Sequence, residues 1–119
     1  MRKMKDEKDA ASPTRFPRAE PLRYDPEQSK RLIIACVEGK LSIARNALEN
    51  KADPDARDKY GRTALMHCAM ENFDEIAKLL LSHGADPKAK DNAGHSAHAY
   101  AAMFYNKRMM RLLERSVAA

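Results

Sequence analysis

The chain has 119 residues, 44% of them apolar and 33% charged, with a formal charge of +5 and no Trp. That length allows one domain, built around an aliphatic core. No apolar run approaches the ~18 residues a membrane span needs, the first residues lack the apolar stretch of a secretory signal, and the two cysteines, Cys36 and Cys68, make no disulfide framework.

The charge is uneven. Residues 1–24 carry seven basic and four acidic groups, residues 25–57 six and six, residues 58–90 five and five, and residues 91–119 four and two. The excess lies in the two ends, whereas a nucleic-acid binder would show a basic face across its folded part. Residues 1–24, with Pro13, Pro17 and Pro21 among alternating charges, read as a basic, flexible tail that lies along the first helix through Phe16, Leu22 and Tyr24.

The first helix is expected over Pro26–Glu38. Asp25 supplies a cap, Pro26 the first helical position, and Gln28 the reciprocal place of a capping box. Gly39 suits the left-handed residue that ends it. Thr63 caps a second such helix that runs to about Asn72, the left-handed residue there. Ile76, Leu79, Leu80 and His83 fall on one face of a helix from Asp74 to His83, closed by Gly84. Asp86 and Pro87 begin an extended arm, and Asp91, Asn92, Ala93 and Gly94 make a tight turn. The last helix sets Lys107, Arg108, Arg111 and Arg115 opposite Met109, Met110, Leu112 and Leu113, the pattern of an amphipathic terminal cap.

These elements repeat. Ala52-Asp53-Pro54 returns as Ala85-Asp86-Pro87, Asp58 as Asp91 and Gly61 as Gly94, each 33 residues on. Leu32 pairs with Leu65 at the same step, Ile43 with Ile76 and Leu48 with Leu81. A fixed period of this length marks stacked units that share one core.

The string Asp58-Lys59-Tyr60-Gly61-Arg62-Thr63-Ala64-Leu65-Met66-His67-Cys68-Ala69, continued by Leu80-Leu81 and Gly84-Ala85-Asp86, resembles the ankyrin repeat. The resemblance covers about residues 25–119 and implies an all-α solenoid of helix-turn-helix units joined by β-hairpin-like turns. The units are expected at about 25–57, 58–90 and 91–119, the outer two being modified caps. Ala64 and Ala97 replace the family's Pro, and Met66 and Ala99 its bracing His, so the turns should be braced less well. His98 stands at a core Leu position and Tyr105 at a Gly position.

The resemblance further implies a non-catalytic module that binds a protein partner through its concave helix face and turn tips. The positions that carry over are Arg57, Lys59, Tyr60, Arg62, Lys90, Asn92 and His95 at the turns. The helix flank supplies Val37, Met70 and Met103 as an apolar ladder, with Glu71 and Phe104 beside it. An apolar groove with a basic rim suits an acidic–hydrophobic segment. The alternative is a small accessory subunit of a large assembly, ribonucleoprotein included, anchored by the basic ends, where nucleic acid would bind.

No catalytic residue, cofactor or metal is expected. Cys36 and Cys68 fall on small positions of helix–helix contact, and His67, Cys68, His95 and His98 are not expected to converge on one ion. The chain is expected to be monomeric alone. Its cysteines suit a reducing compartment, the cytoplasm first and the nucleus second.

Overall fold

A computed structural model describes residues 23–118 of the chain. The tail expected over residues 1–24, with Phe16 and Leu22, lies outside the described residues but for Arg23 and Tyr24. The Arg23 guanidinium sits 5.6 Å from the Tyr24 ring centre.

Helix α1 spans Pro26–Glu38, the bounds expected from the sequence. Asp25 Oδ1 accepts from the Glu27 N–H at 2.9 Å. The expected capping box does not form. The Asp25 N–H is already used by the Lys51 carbonyl, 2.8 Å away, so Gln28 turns to Arg31 instead. Gly39 ends the helix at φ 77°. A Cβ there would stand 2.7 Å from the Phe73 ring of the next unit, so both the backbone angle and the space require glycine. Ser29 replaces the missing first turn as a tie: its hydroxyl donates to the Asp25 carbonyl and accepts from the Asp53 N–H, both at 2.9 Å.

Helix α2 spans Leu41–Glu49, α3 Ala64–Glu71, α4 Asp74–Ser82, α5 Ala97–Met103 and α6 Lys107–Ala118. Asn72 ends α3 at φ 62°, as expected. His83, expected inside α4, is its C-cap. Met66 does not leave its turn unbraced. Thr63 Oγ1 accepts from the Met66 N–H at 3.3 Å, and the thioether accepts from the Thr63 N–H at 3.4 Å. The third unit has only the first half of this arrangement, Ser96 Oγ accepting from the Ala99 N–H.

The arms before α3 and α5 form isolated antiparallel bridges, Arg57 with Thr63 and Lys90 with Ser96. Gly61 at φ 78° and Gly94 at φ 85° turn the two hairpins. The units stack in the register the sequence set. Arg57 donates to the Lys90 carbonyl, 33 residues on, at 2.6 Å, and the Asn92 N–H donates to the Tyr60 carbonyl at 3.1 Å.

The core lies between the two helix rows. Leu32, Leu65, Met66, Leu80, Met109 and Leu113 are fully buried. Ala35, Ala64, Ala69, Ala97 and Ala101 are buried on α1, α3 and α5 and let these helices approach closely, and Ala44, Ala47 and Ala77 are buried on α2 and α4. Cys36 and Cys68 are buried among them. The neighbouring Cys36 thiol, together with burial, pushes the Cys68 thiol far up, so it stays protonated. Among the described residues no helix is long and apolar enough to cross a membrane.

Candidate functional site

The two hairpins are built on one device. Asp58 Oδ1 accepts from the N–H groups of Tyr60 and Arg62 at 2.8 and 2.9 Å, and Asp91 Oδ1 from those of Ala93 and His95 at 3.0 and 2.9 Å. Each carboxylate's second oxygen reaches the helix nine residues on. Asp58 Oδ2 lies 3.0 Å from His67 Nε2, and Asp91 Oδ2 accepts from the Tyr100 hydroxyl.

The electrostatics follow from these bonds. Burial alone would raise the Asp58 pKa, but the bonds from Arg62, His67 and Tyr60 outweigh it and hold the carboxyl below its ordinary value. The Tyr100 hydroxyl, then the His95 N–H, hold Asp91 below its ordinary value too. Burial and the Asp91 bond raise the Tyr100 phenol, which therefore remains a donor. Both turns are thus locked to the helices by charged acceptors, whatever the missing Pro and His contributed.

Above these locks lies an open groove of about 330 Å³ between the hairpins, lined by Tyr60, Arg62, Asp91, Asn92, Ala93, His95, Tyr100 and Met103. Arg62 forms its middle. The guanidinium lies 5.1 Å from the Tyr60 ring centre and 6.0 Å from that of Tyr100. The Tyr100 hydroxyl beside it raises the Arg62 pKa further, against the effect of burial, so the cation is permanent. Its Nε is buried with no partner among the described residues. His95 meets the Tyr100 ring edge-on, with ring centres 5.5 Å apart, and Lys59 Nζ stands 5.2 Å from the Tyr60 ring centre.

Five of the twelve expected residues meet in this groove: Tyr60, Arg62, Asn92, His95 and Met103. The others are distributed around it. Arg57 is a strut instead of a free rim cation, because its guanidinium donates to the carbonyls of Gly61 and Lys90. Lys59, Lys90 and Glu71 are exposed. The apolar ladder is uneven. Val37 and Met103 are 49% and 48% exposed, whereas Met70 is half-buried against the core. Phe104 is 54% exposed and outside the groove.

Sequence reasoning missed Tyr100 and Asp91 as groove residues. The signal was there: Asp58 and His67, nine apart, return 33 residues later as Asp91 and Tyr100. The histidines go to separate partners, His67 to Asp58, His95 to Tyr100 and His98 to Glu114 at 2.9 Å. Among the described residues no three His, Cys, Asp or Glu side chains gather to hold a metal.

A search of curated proteins returns no match. A family model described as Ankyrin repeats (3 copies) matches residues 32–117, the stack from α1 to α6. With its helix pairs, hairpins and 33-residue register, the chain belongs to the ankyrin-repeat family, whose members are in general protein–protein interaction modules.

Proposed function

We propose that the chain is a non-catalytic module that holds a segment of a partner protein across the hairpin groove and the flank of α3 and α5. The observation that carries this reading is Arg62. A guanidinium close to two aromatic rings, its Nε buried with no partner among the described residues, lines the same groove as the half-exposed Met103. Such a group presents a permanent cation next to an apolar surface. A segment that supplies a carboxylate to Arg62 and an apolar side chain to Tyr60 and Met103 satisfies both.

Panning the immobilised chain against a random 12-residue peptide library tests the reading. Recovered peptides should combine Asp or Glu with an apolar residue. Their affinity should fall about tenfold, or ~1.4 kcal/mol, in Tyr60→Ala and in Met103→Lys. Both side chains are about half exposed, so thermal unfolding should not change. Peptides that bind these variants as tightly as the parent chain would overturn the proposal.

A further inference from the structure

A second groove, along α4 and α6, shares no lining residue with the first. One depression of about 400 Å³ is lined by Gly39, Leu41, Phe73, Asp74, Lys78 and Arg108, among others. A second, of about 120 Å³, is lined by Asp74, Lys78, Arg108, Arg111, Leu112 and Arg115. They share Asp74, Lys78 and Arg108, so they form one channel. It runs from the junction of α1 and α2, past the start of α4, to the outer face of α6.

The channel is basic for a reason visible in the register. Arg45, Lys78 and Arg111 stand 33 residues apart, at one position of α2, α4 and α6; Lys78 and Arg111 line the channel, and Arg45 lines the depression that adjoins it at Leu41. Packed helices lie about 8–10 Å apart, so this column repeats a cation at that interval. Arg108 and Arg115 flank its end on α6, and all five side chains are exposed. Compensation is small. Lys78 lies 3.6 Å from Glu75, and Arg108 lies 3.6 Å from Asp74. The only carboxylate of α6, Glu114, is turned to His98. Arg111 and Arg115 have no ion partner among the described residues.

Spacing chooses the ligand. The column sets its cations about 8–10 Å apart, and Glu75 interrupts the basic surface between them. A phosphate chain, with its dense and even charge, meets that repulsion, but a peptide with spaced carboxylates avoids it. The geometry points to an acidic helical segment of a partner protein, its carboxylates seven residues apart. That spacing is about 10 Å along a helix, close to the cation interval, with Leu112 in contact with an apolar residue between them.

The test uses the full chain and a fluorescein-labelled 16-residue helical peptide with Glu at seven-residue spacing and Leu between. Anisotropy should report binding that weakens as salt rises. Affinity should fall at least tenfold in Arg111→Glu, fall less in Arg111→Ala, and remain unchanged in Met103→Lys, which alters only the hairpin groove. Equal binding by the Arg111 variants, or by the same peptide with Gln for Glu, overturns the inference. A labelled 12-nucleotide oligo-uridine that binds more tightly than the peptide, and is released by Arg111→Glu, overturns it in favour of nucleic acid.

Discussion

Tyr105 occupies the position that Gly39 and Asn72 fill in the two preceding units, and all three are left-handed, at φ 58°, 77° and 62°. A bulky side chain is strained there, and Tyr105 is 85% exposed, so no packing offsets the strain. Tyr105→Asn should therefore stabilise the chain by about 0.5–1 kcal/mol in urea unfolding. Lower stability would mean that the ring makes contacts the fold depends on. The turn carboxylates set a pH dependence. Asp58 and Asp91 titrate below their ordinary value of 3.8 in the folded chain, so the unfolded chain binds more protons near that pH. Their contribution is complete above about pH 5, begins to fall near the unfolded value, and disappears as pH falls through the depressed folded values. Urea midpoints measured between pH 2 and 5 should fall steeply with acid, and less steeply in Asp58→Asn. An unchanged slope in that variant would place the acid sensitivity elsewhere.

At the scale of elements, the caps and the period were legible because they are local. Asp25 before Pro26, Thr63 before a leucine-bearing run, and Asn72 after it each act within a few residues of their own position. The reciprocal Gln28 bond was misread because its competitor, the Lys51 carbonyl, lies beyond the end of α2. Arg57 donates both to the nearby Gly61 carbonyl and to that of Lys90, and the second acceptor, 33 residues away, was hidden for the same reason. The Val37, Met70 and Met103 ladder follows the register, yet the middle unit is covered on two sides and the outer units on one. Met70 is thus half-buried where its counterparts stay open. Met70→Lys should cost about 1–3 kcal/mol by placing a charge against the core, while Met103→Lys should leave the denaturation midpoint within error. Equal effects from both substitutions would show that the units do not differ in cover as described.

For the whole molecule, three units share a single core, and each buries the face of its neighbour. Leu65, Met66 and Cys68 lie between the outer units, so a chain ended after residue 90 would expose one side of them. Such a truncation should lack the cooperative urea transition of the full chain, and a sharp transition in it would show that two units suffice. The same stacking makes the candidate site. Tyr60 and Arg62 come from one hairpin, and Asn92, His95 and Met103 from the next unit. The sequence placed these residues at the right heights but left out Tyr100, whose ring supports Arg62 from within.

The central claim is that a partner segment lies in the hairpin groove. Backbone amide shifts of the nitrogen-15-labelled chain, titrated with a peptide recovered from the library, test it most directly. The largest changes should fall at Tyr60, Arg62, Asn92, His95 and Met103, and in Met103→Lys they should need about tenfold more peptide to reach the same size. Changes confined to α2, α4 and α6, or spread evenly over the chain, would contradict it.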